Sequence, residues 1–129
     1  MKKVFKTSSG ILALLSLFVG CSHIQKTYMA ISGNPYSESE LREVGAETYT
    51  LYCMRCHGVA GAGDGVEGVA LSVQLPNFTD GSYEKSLGLV AANIKYGKRQ
   101  EMPAFKNILI DREVWAVAQY VMSLRKQSL

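Results

Sequence analysis

Three stretches of the chain repeat apolar residues at helical spacing, and none alternates apolar and polar residues convincingly as a half-buried strand would. The first begins at Ser37, where Ser37 and Glu40 have capping-box spacing and Glu38 adds a favourable charge at the N-terminus. Leu41, Val44, Thr48 and Leu51 or Tyr52 then fall on one face, and the helix delivers the chain into Cys53. Gly45 lies inside it at a cost of about 1 kcal/mol relative to alanine, which predicts the close approach of another helix. The second stretch has Ser86 as N-cap, Leu87, Val90, Ala91 and Ile94 on one face, and Gly97 as its stop. The third is capped by Asp111; Val114, Val117, Ala118, Val121 and Leu124 form its stripe, with Trp115 and Tyr120 beside it. Between them, residues 66–73 predict a helical turn or two, and residues 75–78 break the pattern at Pro76. Residues 58–65 and 98–106 read as loops, so the predicted class is all-α.

A further apolar run, residues 11–19, follows Lys2, Lys3 and Lys6 and is too short for a comfortable membrane span. With Gly20-Cys21 directly after it, this end resembles a bacterial lipoprotein signal, which implies cleavage before Cys21 and lipid on its thiol. An ordinary secretory signal and an uncleaved anchor are the alternatives, and each places the rest of the chain outside the cytoplasm. The expected organisation is a signal over residues 1–20, a lipid-attached tether over 21–38 and a single small domain over 39–129. His23 reads as a solvated histidine of the tether. The signal also accounts for the net charge of +3, because removing its three lysines leaves 11 basic against 11 acidic residues. Whole-chain charge therefore argues for no nucleic-acid partner.

The chemistry sits at Cys53-Met54-Arg55-Cys56-His57, a C-x-x-C-H pattern that reads as a covalent haem attachment site. Thiols separated by two residues can each close a thioether to one porphyrin vinyl group, and the adjacent histidine supplies a nitrogen to the iron. A zinc site would need a second pair of ligands, and the rest of the chain offers only Cys21 and His23. A redox dithiol expects a βαβ setting that the pattern lacks. The glycine-rich residues 58–65 do not form a phosphate cradle, because no G-x-x-x-x-G-K-[ST] pattern or preceding strand is present. With Cys53 and Cys56 on haem and Cys21 on lipid, no thiol remains for a disulfide.

An iron with one histidine leaves its sixth position open. Met29 and His23 lie in the tether, Met54 lies on the same side as His57, and Met122 reads as core filler of a helix. Met102 lies in a loop and is followed by Pro103, whose fixed φ stiffens the segment presenting the sulfur, so Met102 is the expected sixth ligand.

Residues 39–124 resemble a class I c-type cytochrome along their length. The residues carrying the resemblance are Cys53-x-x-Cys56-His57, Gly97 followed by Met102-Pro103-Ala104-Phe105, Gly45 and Tyr49 in the first helix, and Val117 and Tyr120 in the last. It implies about three main helices around one covalent haem c ligated by His57 and Met102, with the terminal helices crossing at Gly45. It also implies that the Pro76 carbonyl accepts a hydrogen bond from the ligating histidine. The implied function is one-electron transfer between respiratory redox partners at the periplasmic side of a bacterial membrane, without catalysis of a substrate. The alternative is an accessory haem subunit or docking module fixed in a membrane oxidoreductase complex. A ligand-binding haem enzyme or gas sensor would need Met102 to dissociate first. Lys95, Lys98, Arg99 and Lys106 surround the sixth-ligand loop with only Glu101 against them, an expected docking patch for a redox partner.

Overall fold

The computed structural model describes residues 36–99 and 101–127; the signal segment, Cys21, His23 and Met29 lie outside the described residues. The described chain is all-α, as expected: α1 (Glu38–Tyr52), α2 (Met54–His57), a single 3-10 turn (Gly68–Ala70), α3 (Leu87–Tyr96) and α4 (Asp111–Gln127). Its one piece of paired extended backbone is an isolated antiparallel bridge between Lys98 and Met102. None of the described helices is long and apolar enough to cross a membrane.

The helix ends follow the sequence signals in position more than in chemistry. Ser86 caps α3 as expected, its hydroxyl accepting from the Leu89 N–H at 3.3 Å. Ser37 occupies the N-cap of α1, but its hydroxyl donates to the Glu40 carboxylate and caps no backbone N–H. That contact holds the Glu40 carboxyl below its ordinary range. Asp111 is not a cap. It is the first residue of α4, its carboxylate pairs with Lys95, and Glu113 accepts from the Ile110 N–H at 2.9 Å. Glu113 thus satisfies a helix-end donor that the sequence reading assigned to Asp111.

The core lies where α4 is gripped by α1 on one side and α3 on the other. Val114, Trp115, Ala116, Val117 and Ala118 are all buried, so the first half of α4 is enclosed nearly all round, and Val121 and Leu124 extend the stripe. On α1 the buried positions are Leu41, Gly45, Thr48 and Tyr49. Val44 is only half-buried, and Leu51 and Tyr52 are exposed, so the face is rotated from the one expected. Gly45 gives the reason: a Cβ there would stand 2.5 Å from the Ala116 carbonyl oxygen, a distance only a missing side chain permits. The helices therefore approach backbone to backbone at Gly45. One turn on, the Tyr49 and Tyr120 rings meet at 5.1 Å.

Candidate functional site

α1 ends where the chemistry begins. Cys53 donates its N–H to the Tyr49 carbonyl at 2.9 Å and turns the chain with φ −116, and the His57 N–H returns to the Cys53 carbonyl at 2.9 Å. Cys53, Cys56 and His57 are thus spaced i, i+3, i+4 across one helical turn, the spacing at which side chains share a face. Cys53 packs against the core, where burial, then the neighbouring Cys56, pushes its thiol up to about 12. Cys56 lies nearer the surface. Its thiol is raised by burial first and then by the Glu67 carboxylate, 3.8 Å away, which itself pairs with Arg55. Neither cysteine is in a disulfide.

The glycine-rich loop is shaped by this short helix. Gly61 donates to the Gly58 carbonyl at 3.2 Å and Gly63 to the His57 carbonyl at 2.9 Å, both glycines adopting positive φ. Gly65 and Gly68 lie directly on the Cys56 backbone, where added Cβ atoms would stand 2.6 and 2.1 Å from its carbonyl oxygen. The loop curls around the motif because its glycines let backbone meet backbone.

The His57 imidazole makes no hydrogen bond to any described residue, and its Nδ1 is buried. Burial lowers its pKa, which keeps the ring neutral with a lone pair available to a metal. The expected bond to the Pro76 carbonyl is absent. That carbonyl lies 3.2 Å from where a Cβ on Gly63 would stand. Phe78 orients the ring instead: it is buried and stacks on His57 at 4.8 Å and 29°, with Tyr83 edge-on behind it at 5.1 Å. The Phe78 N–H is tied to the Gly61 carbonyl at 2.7 Å, and the Tyr49 hydroxyl donates to the Gly58 carbonyl at 2.7 Å. Sequence reasoning missed Phe78. An apolar aromatic inside the polar, aperiodic residues 76–82 was the available signal.

Met102 is presented by a small closed hairpin. Lys98 and Met102 exchange both backbone hydrogen bonds, at 2.9 and 3.2 Å, and Arg99 at its tip adopts φ +55. Gly97 has φ +76, and a Cβ there would stand 2.8 Å from the Met102 carbonyl oxygen. Downstream, the Phe105 and Lys106 N–H groups donate to the Ile94 and Lys95 carbonyls, which satisfies the end of α3 and fixes the exit of the hairpin. The Met102 side chain is partly buried against the core, as are those of Met54 and Met122. Lys95 does not belong with the free cations expected around this hairpin, since it is paired with Asp111; Lys98, Arg99 and Lys106 are exposed.

A family model described as cytochrome c oxidase, cbb3-type, subunit III matches residues 40–121. The chain belongs to this family. It is a haem-binding c-type cytochrome that carries electrons, and its cofactor is covalently bound haem c. The residues of the motif fit such a group. Two free thiols and a neutral imidazole share one helical turn, and the buried Nδ1 of that imidazole has no protein partner. An unpaired buried nitrogen costs about 1–3 kcal/mol, which is consistent with a side chain that serves a group outside the protein chain.

Proposed function

We propose that this cytochrome is a membrane-tethered, periplasmic, single-haem electron carrier with His57 and Met102 as its iron ligands. The observation that carries the reading is the placement of Cys53, Cys56 and His57 on one helical turn, with a buried imidazole Nδ1 that has no hydrogen-bond partner among the described residues. Cys53 and Cys56 would hold the haem through thioethers and His57 would bind the iron, its ring oriented by Phe78. The hairpin pinned at Gly97 and Lys98 would deliver the Met102 sulfur. Haem would supply one-electron Fe(II)/Fe(III) exchange, and with His57 and Met102 both holding the iron no position would be left for substrate. Methionine as sixth ligand raises the potential relative to two histidines.

Met102→Ala tests the ligand assignment. The variant should keep its covalent haem, lose the sulfur–iron charge-transfer band and shift to a lower potential. A retained band would assign the sixth position to another methionine.

The membrane reading rests on the signal-like N-terminus and Cys21. Cys21→Ser should release the protein into the soluble periplasmic fraction or leave an uncleaved, anchored precursor. Mass spectrometry showing an unmodified Cys21 in the mature protein would remove the lipid anchor from the proposal. Lys98, Arg99 and Lys106, with Glu101 the acid among them, would steer an acidic partner toward the haem.

The second reading, a subunit fixed in a membrane oxidase complex, is favoured by the description of the matching family. A fixed subunit should co-purify with its complex after mild detergent extraction, whereas a carrier should purify alone.

A further inference from the structure

The loop that carries Met102 leaves α3 at Gly97 and enters α4 at Asp111. Lys95 ties it at two points. Its backbone carbonyl accepts from the Lys106 N–H at 3.0 Å, and its ammonium pairs with the Asp111 carboxylate, 16 residues on. Beside it, the Ile94 carbonyl accepts from the Phe105 N–H at 3.1 Å. The chain between the two ties is itself closed: the Ile108 and Leu109 N–H groups donate to the Phe105 carbonyl at 2.9 and 2.8 Å, and Leu109 is buried. The charges also suit their helices. Lys95 stands in the last turn of α3 and Asp111 is the first residue of α4, so each complements the dipole of its own helix end as well as the other charge. The Lys95 side chain is only 21% exposed, which shields the pair from salt on one side.

We propose that Lys95 is a positioning residue for the sixth ligand: with Asp111 it latches the loop that presents Met102 and suppresses the open forms in which the sulfur is withdrawn. The proposal rests on the Met102 assignment above. A ligand on a loop is held only as often as the loop is closed, and local opening is set by the contacts at the ends of the segment that opens. The hairpin bonds between Lys98 and Met102 shape the tip, but they move with it. The ties at Lys95 join the loop to α3 on one side and α4 on the other, so they fix where the tip stands.

The test uses the ferric holoprotein, with added imidazole as a competitor for the position assigned to the Met102 sulfur. Lys95→Met keeps a good helix former and the aliphatic stem while removing the charge, and Asp111→Asn removes the other charge. Each variant should keep the sulfur–iron charge-transfer band when no imidazole is present. Each should bind imidazole about two- to fivefold more tightly than wild type, the range set by loss of a surface ion pair. Lys95→Met/Asp111→Asn should differ from wild type no more than either single variant, because the two charges act as a unit. Lys95→Arg should return the affinity to the wild-type value. Amide hydrogen exchange gives a readout that a merely structural role would not: the Phe105 and Lys106 amides should exchange faster while the core amides of α4 keep their wild-type rates. Unchanged imidazole affinity in both single variants would overturn the proposal. So would additive effects in the double variant, or exchange that quickens equally throughout α4. If Met102→Ala binds imidazole no more tightly than wild type, the ligand assignment itself fails and the latch with it; if that variant binds more tightly and the Lys95 and Asp111 variants do not, only the latch fails.

Discussion

Gly45→Val is expected to destabilise the holoprotein by about 3 kcal/mol and lower its Tm by about 15 °C, at the upper end of the usual cost of overpacking. A Cβ at position 45 would stand 2.5 Å from the Ala116 carbonyl oxygen and 3.1 Å from the Tyr120 Cβ. The first of these is backbone of a helix enclosed on two sides, so it cannot rotate away as a flexible side chain would. The helices must separate, and the Tyr49–Tyr120 contact one turn along separates with them. Helix propensity works in the opposite direction, since replacing an interior glycine by alanine ordinarily stabilises a helix by about 1 kcal/mol. Gly45→Ala is therefore the sharper companion: the usual gain should turn into a loss. Thermal unfolding followed by circular dichroism measures both variants. A stabilised alanine variant would mean that the helices are not in backbone contact at this position.

The fold was legible in the sequence wherever a periodic apolar face met a local stop signal. The starts at Ser37 and Ser86, the end at Gly97 and the stripe of α4 all follow from residues within a few positions of one another. What the sequence does not show is how deeply two elements interpenetrate. Periodicity admits Val44 and Leu51 or Tyr52 to the buried face of α1, and only the crossing at Gly45 rotates that face to Leu41, Thr48 and Tyr49. The motif residues were legible for a different reason. Attachment chemistry fixes the spacing of Cys53, Cys56 and His57 within one turn, so their proximity follows from helical geometry. The setting of the imidazole was not legible, because Phe78 reaches His57 through a loop closure of Gly61 onto Phe78 that has no local signature. The same holds for Lys95. Its pairing with Asp111 closes the 16-residue interval between two consecutive helices, which no local pattern announces, and it removes one cation from the expected patch.

His57→Ala is expected to lower the haem content of purified protein by about tenfold or more, since even an outer partner of a metal ligand typically accounts for a factor of 10–100 in metal affinity. The substitution removes the nitrogen proposed to bind the iron and the ring on which Phe78 stacks. It leaves the backbone in place: the Gly63 N–H still has the His57 carbonyl at 2.9 Å, and the Cys53 and Cys56 thiols are untouched. Loss of haem would therefore be a loss of ligation and not of the loop that wraps the motif. The stability consequence is indirect and large. A domain of this size buries only about 60–70% of the surface its unfolded chain exposes, so a flat apolar cofactor at its centre forms a substantial share of the core. Without it the variant should accumulate as largely unfolded, protease-sensitive chain. Haem per protein from alkaline pyridine spectra, read beside far-ultraviolet circular dichroism of the same samples, separates the two effects. Added imidazole should restore a low-spin spectrum to whatever fraction retains haem. A variant with full haem content and an unchanged low-spin spectrum would show that His57 is not the ligand and that its buried, unpaired ring serves only the packing of Phe78.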